Sequence, residues 1–203
     1  MASSPIDICN MALDHLNQEN ITSLDENTKS AKKCKMWYDD TRRALLMNLN
    51  ATFSIERGFL SEIQDYEPIY GYDKAYALPP DCLQVLNLGS PLADNLYQIE
   101  GKNFYCAYAL EDVGIRYIKD VEDVMAYDSE FVKLFALALA EEICIPLTED
   151  WEKKRNIMAM RKEKYIECST KYGRDNRITV INKPRYREAK IFAEIENTNN
   201  FLR

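Results

Sequence analysis

The chain has 203 residues, of which 46% are hydrophobic and 29% charged, and its formal net charge is −7. This composition supports a globular protein with a packed core. It contains no apolar run approaching the ~20 residues that a membrane span needs. The opening residues also lack the charged and apolar regions of a signal peptide. We therefore expect a protein that is made in a cytoplasm and has no membrane partner.

The six cysteines do not form a pattern typical of metal sites or disulfide frameworks. No two lie within four residues of each other, and the single histidine, His15, leaves no mixed Cys/His site. We expect reduced thiols that are mostly buried on apolar faces, where free cysteine packs as a small hydrophobic residue. The six are Cys9, Cys34, Cys82, Cys106, Cys144 and Cys168.

Two helices are predicted in the first 50 residues. Ser4 is a suitable N-cap in front of Pro5, and Asn17 can take the left-handed position after the first helix. A longer helix is expected to begin near Thr28. A further short helix is predicted from Phe53 to Leu60. The apolar stripes at helical spacing are Ile6, Cys9, Leu13 and Leu16, then Ala31, Cys34, Tyr38, Thr41, Leu45 and Leu49. Lys32, Lys33, Arg42 and Arg43 are expected on the solvated side of the second helix, and contact with a neighbouring subunit or with DNA is the alternative.

Residues 66–119 have the composition of a small antiparallel sheet or sandwich inserted between two helical halves. Pro79 and Pro80 force a turn, because each fixes φ and removes a backbone donor. Gly101 lies in a tight connection between two strands. The predicted strands are Ala75–Leu78, Leu83–Leu88, Leu96–Glu100, Asn103–Ala107 and Ile115–Lys119.

Two more helices are predicted after residue 120. Asp128 is a good cap for the first, which is apolar over much of its circumference and therefore expected to be buried. Pro146 is expected to stop it, and Thr148 to cap the next helix. In that last helix, Trp151, Met158, Tyr165 and Tyr172 recur every seven residues. This spacing predicts a seam along the bundle core, and a coiled-coil contact is the alternative.

Helical periodicity weakens in the C-terminal segment, residues 173–203. This segment has seven basic and four acidic residues, so its net charge is +3 and that of the remaining body is −10. A segment with so little core of its own is expected to become ordered on a partner, and its charge suits an acidic surface.

The sequence offers no strong catalytic or cofactor motif. It has no glycine-rich nucleotide-binding motif, and no nucleophile motif lies near His15. Glu141-Glu142 and Glu149-Asp150 are adjacent pairs, whose side chains point about 100° apart on a helix and do not converge on one bond. We therefore expect no enzyme activity, catalytic residue, metal or cofactor. Four clustered tyrosines are instead candidates for a protein interface: Tyr66, Tyr70, Tyr72 and Tyr76.

Four separated segments, covering most of residues 5–170, resemble the head-to-tail adaptor (tail tubular, or tail accessory) proteins of short-tailed phages. The first contains Asn10 to Leu16 and the Ile-Thr-Ser-Leu-Asp loop that begins at Ile21. The second runs from Ala31 through Arg42 to Leu60, and the third is Tyr76 to Val85. The fourth runs from Ile115 to Thr148. Two positions depart from the family pattern: Asn17 replaces a glycine, and Thr52 replaces a tryptophan.

The resemblance implies an α+β protomer, mainly a helical bundle with a small inserted antiparallel β region and an extended C-terminal tail. It divides the chain into helices at 1–65, the β region at 66–119, helices at 120–172 and a partner-binding tail at 173–203. The implied portal-binding residues of that tail are Arg174, Arg177, Ile178, Val180, Lys183, Arg185, Tyr186, Arg187 and Phe192.

The function implied by the resemblance is structural. Such adaptors form a ring, usually of twelve copies, in the neck of the virion, between the portal and the tail nozzle or the next neck protein. Genomic DNA passes through the ring without sequence-specific binding. Two alternatives from other classes are a tail-associated cell-wall hydrolase and a DNA-packaging accessory protein.

Overall fold

The protein is described here by a computed structural model, which covers residues 4–64, 66–68, 70–88, 97–107 and 114–176. These residues form four helices and two antiparallel sheets, so the fold class is α+β, as predicted. The helices are α1 (Pro5–His15), α2 (Lys29–Leu49), α3 (Ser129–Thr148) and α4 (Trp151–Asp175). The strands are β1 (Ile55–Phe59), β2 (Ser61–Glu62), β3 (Lys74–Ala77), β4 (Cys82–Leu88), β5 (Tyr97–Glu100), β6 (Asn103–Cys106) and β7 (Gly114–Lys119).

Helix α3 is the central element of the helical part. It packs against α1, α2 and α4, and its residues from Phe131 to Ala140 are all buried except Lys133. Its N-cap is Asp128, whose carboxylate accepts hydrogen bonds from the backbone amides of Glu130 and Phe131, both at 3.0 Å. Because the helix is apolar on nearly every side, it can be stable only when other elements cover it.

Local signals set the ends of α1 and α2 as the sequence predicted. Ser4 caps α1 in a reciprocal arrangement with Asp7, and Thr28 caps α2. Asn17 and Asn50 adopt left-handed backbone conformations behind the two helices, with φ of 54° and 49°. Asparagine tolerates this conformation better than most residues. The predicted inward stripe of α2 is buried throughout.

The two sheets share a simple antiparallel topology. The first has the strand order β1-β7-β4, and the second has the order β2-β3-β6-β5. Gly101, with φ of 60°, lies in the two-residue connection between β5 and β6, where Glu100 is opposite Asn103. The proline turn ends with the amide of Cys82 donating to the carbonyl of Pro79 at 2.9 Å. The prediction of antiparallel strands in this region is confirmed.

One predicted helix is a strand in the structure. Residues 52–54 form a short 3₁₀ turn, and residues 55–59 then pair with β7, where Ile55 lies opposite Ile118. Phe53, just before this strand, packs edge-on against Phe131 with ring centroids 5.0 Å apart. The helix prediction for Phe53 to Leu60 was wrong because pairing with a strand 60 residues away decides the conformation, and local spacing does not encode that partner.

The end of α3 also differs from the prediction. Pro146 lies inside the last turn instead of stopping the helix, which continues to Thr148. The hydroxyl of Thr148 donates to the carbonyl of Cys144 at 2.8 Å, and the amide of Glu149 donates to the carbonyl of Ile145 at 3.0 Å. These bonds satisfy carbonyls of the final turn. The cap of α4 is therefore Asp150, which accepts from the amide of Lys153, and not Thr148.

Candidate interaction surfaces

The predicted portal-binding residues fall mostly beyond the described part of the chain. Arg174 is exposed on the last turn of α4. Asn176 then anchors the end of this helix, because its side chain donates to the carbonyl of Asn50 at 2.6 Å and accepts from Arg116 at 3.0 Å. The remaining predicted residues lie outside the described residues: Arg177, Ile178, Val180, Lys183, Arg185, Tyr186, Arg187 and Phe192.

The four clustered tyrosines do not share one surface. Tyr70 is 87% exposed, whereas Tyr66 and Tyr72 are half-buried. Tyr76 is only 3% exposed and packs edge-on against Phe104, with ring centroids 6.1 Å apart. Tyr76 therefore belongs to the small core of the β part and presents no exposed ring to a partner. The alternation of a strand turns it inward, since it lies opposite Phe104 on β6.

A buried arginine joins α2 to the segment after β7. The side chain of Arg42 is 1% exposed, and its Nη1 donates to Asp120 Oδ1 at 2.5 Å and to the carbonyl of Val121 at 2.7 Å. Its Nη2 donates to Asp39 at 3.2 Å and lies 3.9 Å from Glu122. Burial alone would lower the pKa of Arg42, but the surrounding acidic groups, Asp120 foremost, raise it overall. Arg42 is therefore a charged structural link.

The sequence placed Arg42 on the solvated side of α2, and that prediction was wrong. Arg42 is buried because the segment at residues 120–122 covers this flank of the helix and supplies the anions that a buried guanidinium requires. Its neighbour Arg43 remains half exposed and binds the other oxygen of Asp120 at 2.9 Å. The sequence shows that Asp120 could pair with a basic residue. Which of the two adjacent arginines is buried against it, Arg42 or Arg43, is decided only by the tertiary contact.

Acidic side chains lie over this link, and an exposed methionine follows them in the chain. Asp39 and Glu122 both approach Arg42 from outside, and Asp123 follows Glu122 in the chain. Met125, 70% exposed, also lines an apolar groove of about 350 Å³ between α1 and the start of α3. We define the acidic patch as Asp39, Glu122, Asp123 and Met125; no pattern in the sequence marked it.

The outer face of α4 is apolar and basic. Trp151 is 66% exposed, and Met158 and Ile166 are also exposed. At about 100° per residue, these residues and the basic side chains between them fall within an arc of about 80°. Neither Arg155 nor Lys162 makes an ion pair within the described part of the chain. We define the α4 strip as Trp151, Arg155, Met158, Lys162 and Ile166.

The seven-residue series in α4 only partly follows the core. Tyr172 is fully buried and Tyr165 partly buried, but Trp151 and Met158 point outward, so the predicted seam was wrong for its first half. The buried positions are instead Ile157, Cys168 and Tyr172. A straight helix drifts by about 20° per heptad relative to a strict seven-residue repeat, so the two ends of a series of three heptads lie about 60° apart around the helix.

The residues weighed as catalytic candidates lie in ion pairs, at helix ends or on the exposed surface. Glu141 pairs with Arg161 at 2.5 Å, whereas Glu142 is exposed. Glu149 and Asp150 lie at the junction of α3 and α4, the first in a left-handed conformation and the second as a cap. His15 is exposed in the last turn of α1. Neither carboxylate pair converges on a common point.

The six thiols are all buried, as predicted. Burial and contact with Cys34 raise the pKa of the Cys9 thiol far above its ordinary value, with the hydrogen bond between the two side chains as the main cause. Within the described ranges, no group of three or more His, Cys, Asp and Glu side chains is placed to hold a metal ion. The described helices also include none that is long and apolar enough to cross a membrane.

Neither a scan against protein-family models nor a search of curated proteins finds a match for this chain.

Proposed function

We propose that this chain is a structural virion protein: a head-to-tail adaptor whose copies form a ring on the portal of a short-tailed phage. In this role the ring continues the DNA channel and provides a platform for the next tail component. The observation that carries the proposal is the set of four ordered segments, from Asn10 to Thr148, that resemble this adaptor family. The protein has no catalytic role in this proposal.

Contacts between the segments support treating them as one structural unit. In the first segment, the side chain of Asn10 donates to the carbonyl of Ile21 at 3.0 Å and accepts from its amide at 2.8 Å. Arg42 of the second segment binds Asp120 of the fourth. Asp81 of the third segment accepts a backbone bond from Asp120 at 2.8 Å. Residues that define the resemblance therefore hold distant parts of the chain together.

The proposal includes the finer architecture. The four helices act as the bundle of the protomer, and the β part faces the next tail component. The strands of this part begin at Ile55, before the predicted start at residue 66. Helix α4 extends to Asp175, into the predicted tail, so the residues after Asn176 are the ones that reach the portal. In this proposal the segment loses its conformational entropy only on binding the portal. The portal must therefore be in place before the adaptor docks, which fixes the order of assembly. The exposed Tyr70 is then the strongest remaining candidate among the tyrosines for the platform surface.

The charge distribution suits a channel through which DNA slides. Each phosphate contact from lysine or arginine would strengthen DNA binding in a salt-dependent manner. Residues 1–172 carry a net charge of −10, so this body would not hold DNA tightly. The basic residues of the C-terminal segment would meet an acidic portal surface.

The test is to mix the purified protein with the cognate portal and to image the product by electron microscopy. The comparison uses the full chain and a chain ending at Asn176, because Asn176 is bonded to Asn50 and Arg116 and must be retained for the body to stay intact. We expect a ring on the portal with the full chain and none with the shortened chain. A ring that survives the truncation would refute the portal-binding segment but not the adaptor.

A charge-reversal pair separates the basic character of the segment from its length. Arg185→Glu with Arg187→Glu is expected to weaken portal binding by about tenfold or more, because like charges face each other at an electrostatically matched surface. The matched control is Arg57→Glu, an exposed residue of β1, which should bind as the natural chain does. Failure of the full chain to bind any portal would overturn the proposal. Muramidase activity, or DNA affinity that falls steeply with salt, would then support one of the alternatives.

A further inference from the structure

We infer that neighbouring copies of this chain contact each other head to tail, with the α4 strip of one copy docked on the acidic patch of the next. This inference rests on the proposed ring and names the surfaces that build it. The occupant of each surface is a second copy of this chain.

The charges of the two surfaces are complementary. The strip presents Arg155 and Lys162, both exposed, and the described part of the chain gives neither an acidic partner. In and beneath the patch, three carboxylates (Asp39, Asp120 and Glu122) surround two guanidinium groups. Asp123, the next residue in the chain, adds a fourth carboxylate, so two negative charges remain in excess. Opposite potentials on two surfaces of one chain favour pairing of copies and fix their register.

Both surfaces also carry exposed apolar side chains of the kind found at interface centres. The strip has Trp151, which is the larger of the two exposed anchors, and the patch has Met125 at the mouth of the groove. An aromatic ring that enters an apolar pocket with a charged rim is a common energetic centre of protein interfaces. We assign Trp151 of one copy to the groove beside Met125 of the next.

Contacts of α2 and α3 place the two surfaces on different sides of the helical part. On α2, Asn48 lines a groove with Met158 and Lys162 of α4, and its backbone carbonyl accepts a hydrogen bond from Tyr165, while Asp39 belongs to the patch. Asn48 and Asp39 are nine apart and therefore point to opposite sides of the helix, about 180° from each other. On α3, Val132 lines the groove about 200° away from Glu130, which pairs with Lys164 of α4. Lys133, which also lines the groove, pairs with Glu130 along the helix.

The two surfaces therefore lie on opposite flanks of the helical part. Different patches on opposite flanks cannot satisfy each other in a two-fold dimer, whose interface uses the same patch twice. They produce a head-to-tail series instead, which closes into a ring when the rotation per copy allows it. This is the arrangement that an adaptor ring requires.

The test uses cysteine cross-linking in the full chain. The six natural cysteines are buried, so a bismaleimide reagent should react mainly at introduced cysteines. A chain with Met158→Cys and Met125→Cys is expected to give a ladder of cross-linked oligomers, with or without the cognate portal. Each single variant alone should give no ladder, whereas a mixture of the two should give a dimer. Self-linking of either single variant would overturn the inference, because it would show a two-fold contact.

Charge reversal in the double-cysteine chain provides the second measurement. Arg155→Glu with Lys162→Glu should reduce the ladder by about tenfold or more, as should Glu122→Lys with Asp123→Lys. A chain carrying all four reversals should recover the ladder, which also shows that the variants fold. The matched control, Arg57→Glu with Glu67→Lys on the β part, should leave the ladder unchanged. A ladder insensitive to the reversals would overturn the inference.

The two proposals can fail separately. Rings on the portal without any ladder would overturn the inferred contact and leave the adaptor function in place. A ladder that responds to charge reversal, from a chain that binds no portal, would support the contact and overturn the adaptor function.

Discussion

The helical part and the β part of this protein are stabilised in different ways. Among the described residues, 28 buried hydrophobic side chains form one cluster around α3, whereas seven form a second cluster between the sheets. Strand β7 belongs to both, because Ile118 points into the helical core while Ile115 and Tyr117 point into the β core. A small core on few short strands is marginal without support. We therefore expect the stability of the β part to depend on the helical part more than the stability of the helical part depends on the β part.

The largest effect should come from the centre of the helical core. Phe135 is fully buried and packs on Tyr38, with ring centroids 4.9 Å apart. Phe135→Ala should lower the free energy of unfolding by about 4 kcal/mol, since it removes a large side chain and leaves a cavity. Urea unfolding followed by helical circular dichroism would measure the change. A loss below about 1 kcal/mol would contradict the central role of α3.

The corresponding change in the β core should be smaller and local. Phe104 is fully buried and stacks on Tyr97 at 5.3 Å, but the cluster around it is small. We expect Phe104→Ala to cost about 3 kcal/mol and to act mainly through local opening of the β part. Hydrogen exchange should show faster exchange in β3, β5 and β6, with α1 and α3 unchanged. Equal acceleration in the helices would show that the two parts unfold as one.

The link between α2 and the segment after β7 should have the next largest effect. Arg42→Met removes a buried cation from Asp120. Breaking a buried pair costs about 3–5 kcal/mol. Asp120 keeps its bond to Arg43, so we expect about 2 kcal/mol, measured by urea unfolding. Arg43→Met, at the half-exposed neighbour, is the matched control and should cost less than about 1 kcal/mol. Equal effects of the two changes would refute the assignment of Arg42 as the link.

The contact between α3 and α4 should make stability sensitive to acid. Burial alone would raise the pKa of Asp128, but hydrogen bonds from Tyr172, from the amide of Phe131 and from Lys171 lower it below the ordinary value of 3.8. A carboxylate with a lowered folded pKa stabilises above its unfolded pKa, and this contribution disappears as pH falls through the folded value.

The natural chain should therefore lose stability below about pH 4. Asp128→Asn is expected to cost about 1 kcal/mol at neutral pH and to reduce the loss at lower pH. Urea unfolding at several pH values would measure both effects. An unchanged slope of stability against pH would exclude Asp128 as a source of the acid sensitivity. Glu130 contributes in the same direction, since Lys164 and Lys133 lower its pKa, so some slope should remain in the variant.

The smallest effect should be at the tip of the β part. Gly101 has φ of 60°, and a methyl group built there would meet nothing within 4 Å. Gly101→Ala should therefore cost about 1 kcal/mol through backbone strain alone. Exchange of the β5 and β6 amides would report it, and an Ala variant as stable as the natural chain would show that the connection adjusts its conformation.

Much of the helical part could be predicted from the sequence because its signals are local. Ser4, Thr28 and Asp128 cap helices within three residues of the amides they bind. The stripe of α2 needs only helical spacing. Several predicted strands, the proline turn and the Gly101 connection follow from short patterns in the same way. The candidate surfaces were harder to predict from the sequence, since only Tyr70 of the four clustered tyrosines is highly exposed.

The sequence by itself determined the starts of α1, α2 and α3, the stripe of α2, the burial of the cysteines and the presence of antiparallel strands between the helices. The tertiary structure decided which equally plausible residues turn inward: Arg42 but not Arg43, and Tyr76 but not Tyr70. It also turned residues 55–59 into a strand and left Trp151 and Met158 outside. Each of these choices depends on a partner dozens of residues away along the chain, and local spacing carries no information about which distant element covers a given face.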